Sequence, residues 1–176
     1  MMIQEKKAPA TDQASIVYLM QNFANYNLWA NTTLVNWLRT KPEAELEREM
    51  SSSFPSIKLT LNHIWQTQRY WLSIIRRDQA ETYRDDSGSS KDVLDLIVEQ
   101  SEELADFVGR MTKSALEDTT MIVSPWFQCD FQHFEYLVQV MNHSTYHRGQ
   151  IITIGRQLGY EDAPMTDYNY YNIYGK

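Results

Sequence analysis

His143 and His147 stand four residues apart in the stretch NHSTYHRGQ, and they are half of the four histidines in a chain of 176 residues. On a helix, residues i and i+4 are separated by about 6 Å along the axis and about 40° around it, so both imidazoles leave one face and can chelate one ion. The spacing alone is a modest signal, because such a pair also arises by chance. The same face carries Tyr136, Val140, Ile151 and Ile154, which turns the imidazoles toward a core, where each needs a partner.

A third imidazole is available in TLNHIWQTQRYWL, where His63 shares a helix face with Leu59, Thr60, Gln66, Thr67, Tyr70 and Ile74. Three neutral imidazoles leave at least one position on a metal open, the arrangement of a catalytic rather than a closed structural site. His133 lies about four turns before His147, too far to share its ion, and reads as a surface or capping residue. Other metal chemistries fail on spacing. Ser144 rather than Glu follows His143, no helix shows E-x-x-H, and Cys129 is the sole cysteine, so a metalloprotease motif, a di-iron carboxylate bundle and a zinc knuckle are all excluded. A three-histidine site suits Zn²⁺ or Ni²⁺ and is compatible with Fe²⁺ or Mn²⁺.

The elements that must position these residues are helical. Apolar residues recur at helical steps from about Asp12 to Arg39 (Ile16, Leu19, Met20, Phe23, Tyr26, Ala30, Leu34, Trp37, Leu38). Comparable stripes mark Ser56 to Arg77, Lys91 to Met111, and Gln132 to Leu158, the last closed by Gly159. Pro42 opens a connector with room for one short helical turn, and the serines of DQAETYRDDSGSS are suitable N-caps. MIV and WFQCDF, between the third and fourth helices, fit a small hairpin or an irregular loop equally well. Four helices of similar length pack most simply as an all-α four-helix bundle. The tail YEDAPMTDYNYYNIYGK carries five tyrosines and should pack back over the domain or into a partner.

Composition bounds the rest. The length suits one domain, spanning residues 1–176 with 1–11 as a flexible tail, and 43% hydrophobic residues suffice for a core. Sixteen Lys plus Arg against twenty-three Asp plus Glu, a net charge of −7 with no basic stripe, argues against nucleic acid or anionic membrane as partner and for a small molecule or a protein. No apolar run follows MMIQEKKAPATDQ and none approaches the roughly 20 residues needed to cross a bilayer, so the expectation is a soluble, cytoplasmic protein. Cys129 reads as a small, partly buried residue compatible with a reducing compartment.

NHSTYHRGQI with the following RQLGY and Asp167–Tyr168, together with YNLWAN in the first helix and SIKLTLNHIWQTQRYWL in the second, resembles the DinB superfamily of YfiT-like metal-dependent enzymes. The resemblance covers most of the chain in the right order. It implies a four-helix bundle, often a homodimer, with a metal bound by His63, His143 and His147. Many members of that superfamily carry a further histidine immediately before the second of the pair, where this chain has Tyr146; on a helix that position points about 100° from His147, so no ligand is lost. Relatives include thiol transferases and a maleylpyruvate isomerase that use bacillithiol or mycothiol.

On this reading the chain is a metal-dependent enzyme that holds a thiol as thiolate for transfer to an electrophile. The alternatives are a metal-dependent hydrolase of amide or ester bonds, and a non-enzymatic dimeric bundle braced by its metal. Trp29, Gln66, Thr67, Tyr70 and Trp126 are candidate cavity residues, with packing the simpler role for each. Arg148, about 100° around the helix from His147, should face solvent or a dimer partner.

Overall fold

A computed structural model describes residues 15–78, 88–125 and 127–176. The flexible tail expected over residues 1–11, most of the polar turn region before Ser89, and Trp126 lie outside the described residues. The four long helices are α1 (Ser15–Leu38), α3 (Ile57–Arg76), α4 (Ser90–Gly109) and α6 (His133–Gln157). Short helices α2 (Glu43–Glu47) and α5 (Lys113–Glu117) lie between them, with α2 following Pro42 as its sequence suggested.

Local chemistry sets the helix ends. Ser56 caps α3 by accepting the Leu59 N–H at 3.1 Å, and Arg77 ends it in the left-handed region with φ 59°. Ser89 and Asp92 form a reciprocal capping box at α4, and the Glu135 carboxylate accepts the Gln132 N–H at the start of α6. Gly159, with φ +90°, lets the chain leave α6 in a conformation costly for any residue with a Cβ.

The segment before α6 is a hairpin: β1 (Thr119–Val123) pairs antiparallel with β2 (Gln128–Gln132), Met121 opposite Asp130. Cys129 on β2 is half-buried, its Sγ 3.6 Å from the Tyr136 hydroxyl.

Each long helix packs against two others in the cyclic order α1, α4, α3, α6. His63 meets His143 while Trp71 stacks on Tyr136, so α3 and α6 run antiparallel. Tyr26 meets Arg148 while Trp37 meets Gly155, so α1 and α6 run parallel. The apolar core falls into two clusters along the bundle. One gathers Met20, Leu72, Leu104, Leu137 and Val140, the other Leu34, Ile57, Ile64, Ile97 and Ile151. Between them lies a buried polar layer of Asn27, Asn31, Gln68, Ser101 and Arg148, one or two from each long helix.

Leu19, read as part of the inward stripe of α1, is instead 45% exposed. The tyrosine-rich tail folds back on α1. Its helical turn α7 (Tyr168–Tyr170) and the π-helical turn Tyr171–Gly175 set Tyr168 edge-on against Tyr26 at 5.2 Å and Tyr171 against Trp29 at 5.5 Å. Asn22 Nδ2 donates to the Tyr168 hydroxyl at 2.6 Å, and the Tyr26 hydroxyl donates to the Thr166 carbonyl at 2.9 Å, so this aromatic seam satisfies its polar ends.

Candidate metal centre

The three histidines singled out by spacing come together. His63, on α3, and His147, on α6, each bring Nε2 to 3.1 Å from His143 Nε2. A ring nitrogen of each lies within 4.8 Å of the others, and no Asp, Glu or Cys joins the group among the described residues. For metal–nitrogen bonds of about 2.05 Å in tetrahedral geometry, ligand atoms stand roughly 3.3 Å apart, so the two 3.1 Å separations are close to edges of such a polyhedron.

The protonation of the rings agrees. His147 Nδ1 donates to Gln150 Oε1 at 2.7 Å, which leaves His147 Nε2 as a bare lone pair aimed at the cluster. Burial, followed by the neighbouring His147, pulls the pKa of His63 down to about 4. Burial, then His147 and His63, does the same to His143. His147 is also lowered by burial, against the raising effect of its Gln150 hydrogen bond. The rings are therefore neutral near pH 7, the form that binds metal. His143 Nδ1 is buried with no hydrogen-bond partner among the described residues.

Phe54 closes one side. Its ring stacks on His63 at 4.1 Å and 22° and meets His147 edge-on at 5.6 Å, while Ser53 beside it accepts weakly from Gln150 Nε2 at 3.4 Å. Neither Phe54 nor Gln150 is among the residues singled out from the sequence. Phe54 sits in the aperiodic SSSFPS connector. Gln150 had a usable signal, since it follows His147 at i+3 and so shares its side of the helix.

Two sequence expectations are overturned. Arg148 does not face solvent or a partner: it is 1% exposed, its Nη1 donating to Asn27 Oδ1 (2.9 Å) and Asn31 Oδ1 (2.8 Å) and its Nη2 to the Tyr26 hydroxyl (3.1 Å) and Thr145 Oγ1 (2.8 Å). The 100° turn away from α3 is a turn toward α1, because α6 has two packing neighbours. Burial lowers the pKa of this guanidinium and Tyr26 offsets part of the effect. His133 is not a surface residue either. It is 5% exposed, with Nε2 2.8 Å from Thr120 Oγ1 and Nδ1 2.9 Å from the Ala115 carbonyl, because the hairpin and α5 fold over the start of α6.

Of the candidate cavity residues, Trp29 packs in the tail cluster and Tyr70 lies edge-on to Trp71 at 5.3 Å. Thr67 is buried one turn from His63, with its hydroxyl unpartnered among the described residues, and Gln66 is half-buried beside it.

Fold and site together define a four-helix bundle with a three-histidine centre able to hold one ion between its second and fourth long helices. The sequence profile of the DinB family matches residues 10–173. Protein DinB of Bacillus subtilis (strain 168) is 31% identical over 166 residues, covering 86% of this chain and 95% of that protein. The chain belongs to the DinB family. The crystal structure of a DinB-like protein from Bacillus subtilis superposes with a TM-score of 0.59 at 14% identity, covering 88% of this chain and 98% of that one, and shares the fold.

Proposed function

We propose that the protein is a metal-dependent enzyme in which His63, His143 and His147 hold a divalent ion, Zn²⁺ or Ni²⁺ foremost and Fe²⁺ or Mn²⁺ as alternatives. The reaction is transfer of a low-molecular-weight thiol to an electrophilic small molecule. The observation that carries this reading is the convergence of His63 Nε2 and His147 Nε2 on His143 Nε2, each at 3.1 Å, with ring nitrogens of all three within 4.8 Å of one another, from helices far apart in sequence. When bound, such an ion supplies Lewis acidity that lowers the pKa of a coordinated thiol.

The chain's own residues prepare the site. Gln150 Oε1 accepts the hydrogen bond of the His147 Nδ1–H and so fixes its tautomer, and burial keeps His63 and His143 unprotonated at neutral pH. Phe54 stacks on one face of His63 and meets His147 edge-on, which holds both rings in place. A bound ion would ionise a coordinated thiol or a coordinated water alike, and no carboxylate joins the cluster among the described residues to assist the later proton transfers of hydrolysis. The resemblance to thiol transferases is what supports transfer over hydrolysis.

The reading includes a small-molecule substrate, a homodimer, a cytoplasmic location and neither nucleic acid nor membrane as partner. The net charge of −7 supports the exclusion of phosphate backbones. No helix among the described residues is long and apolar enough to cross a membrane. Exposed Leu19, Phe127, Phe131 and Val138, on α1, the hairpin and α6, provide apolar surface for a second copy.

Elemental analysis of protein purified without a histidine tag tests the site. One ion per chain is expected in the wild type and loss in His63→Ala; equal occupancy in both removes His63 as a ligand. Metal-loaded protein is then screened with bacillithiol and mycothiol against an electrophilic acceptor, where absence of thiol-dependent turnover refutes the transferase reading.

A further inference from the structure

We propose that Arg148 is a positioning residue of the histidine centre: its guanidinium indexes α6 against α1 and, through the buried amides, against α3, so that His143 and His147 face His63. The proposal rests on the metal-site reading above. Arg148 is the largest fully buried side chain of the bundle, and none of the ion pairs among the described residues includes it. A buried cation surrounded only by neutral acceptors is a poor device for stability, since an apolar side chain of similar volume avoids its desolvation. Such groups are best accounted for by the register they impose.

The geometry specifies a register. The planar fork engages Asn27 and Asn31, one turn apart on α1, through Nη1, and Tyr26 and Thr145 through Nη2. Asn27 Nδ2 and Asn31 Nδ2 donate onward to Gln68 Oε1 at 2.6 and 3.3 Å, and Asn31 Nδ2 also reaches Ser101 Oγ at 2.8 Å. Ser101 Oγ, which accepts from Gln68 Nε2 at 3.3 Å, donates to the Ile97 carbonyl at 2.7 Å. Arg148 is the neighbour of His147, and Gln68 lies five residues, about 7.5 Å of helix, beyond His63. The two metal-bearing helices are thus locked to each other close to the ligands. The apolar clusters on either side cannot do this with comparable precision, because hydrophobic contacts are not directional.

Metal-free protein titrated with Co²⁺, whose visible absorption reports coordination geometry, provides the test. Arg148→Met is expected to keep its helical circular dichroism but to bind Co²⁺ at least tenfold more weakly and with an altered spectrum. Arg148→Lys, which keeps the charge and loses the fork, is expected to weaken binding as well. A purely electrostatic role predicts the opposite sign for Arg148→Met, since removing a positive charge favours a cation. Wild-type affinity and spectrum in both variants, or tighter binding by Arg148→Met, overturn the proposal. If Arg148→Met does not fold, Thr145→Val, which deletes one acceptor at the helix surface, replaces it. A threefold loss of affinity then supports positioning, and wild-type binding refutes it. If the wild type itself takes up no Co²⁺, the metal reading fails separately. Positioning is then read from the ring ¹⁵N resonances of the three histidines in metal-free protein, where displacement in Arg148→Lys supports it and coincidence with wild type overturns it.

Discussion

Replacing Gln150 by Ala removes the one side-chain hydrogen bond that fixes the His147 tautomer, the 2.7 Å contact from Nδ1 to Oε1. Loss of such an outer partner of a metal-binding histidine costs about 10–100-fold in affinity, or roughly 1.4–2.7 kcal/mol. The loss has two physical parts. His147 becomes free to place its proton on Nε2, and its ring is held less firmly in the plane that points the lone pair at His143. The expected result is a Zn²⁺ dissociation constant at least tenfold higher, measured by competition with a chromophoric chelator at neutral pH. At a fixed excess of metal, a tenfold weaker site also lowers the metal-induced rise in Tm by about 3–6 °C for a chain of this size. Gln150→Glu, whose carboxylate accepts the same proton more strongly, should bind Zn²⁺ more tightly than wild type. Ser53→Ala is the control, since it cuts only the 3.4 Å link on the far side of the Gln150 amide, and should change affinity less than twofold. Gln150→Ala with wild-type affinity would show that His147 is oriented by packing alone and would refute the reasoning.

His133→Ala should lower stability by about 1–3 kcal/mol in urea denaturation, because a buried ring holding Thr120 and the Ala115 carbonyl is lost. Its metal content should equal wild type; reduced metal content would tie the fourth histidine to the site after all. The contribution of His63 and His143 to the stability of the metal-free protein should fall as pH drops from about 6.5 toward about 4 and then level off. His63 and His143 have folded pKa values of about 4, so across that window the unfolded chain binds protons that the folded chain refuses. A urea midpoint that rises between about pH 7 and about pH 5 would contradict the sign. Gly155→Ala would set a Cβ 2.6 Å from Trp37 Cη2, while Trp37 is held by its bond to Asp162 and by Tyr160. A loss of about 1–3 kcal/mol, seen as a lower Tm, is expected from that overpacking, and an unchanged Tm would show that the indole moves freely.

Periodicity carried most of the fold. The four stripes predicted α1, α3, α4 and α6 to within a few residues, and Pro42, Ser56, Ser89 and Gly159 mark ends that the structure realises as a short helix, two caps and a stop. The histidines were legible because a ligand pair on one helix repeats with the helix itself, and because the flanking residues supplied a family resemblance. Arg148 was misread because a single direction on a helix says nothing about how many neighbours the helix has. In a bundle the buried arc is wide, and residues 100° from one interface enter the next. His133 was misread for a related reason: the start of a helix is exposed only if nothing folds over it, and here the hairpin does. Phe54 had no signal at all, since its place over His63 depends on the path of an aperiodic connector.

The centre joins residues 80 positions apart in the chain. During synthesis at roughly 5–20 residues per second, His63 is made about 4–16 s before His143 exists to meet it. The long helices α1, α3 and α4 are complete by then, but their polar layer still lacks the guanidinium that its amides are arranged to receive. His143 and His147 lie on one helix and arise together, so a nascent chain that holds only α1, α3 and α4 presents a single histidine of the centre, His63, without the convergence that would let it compete for scarce metal.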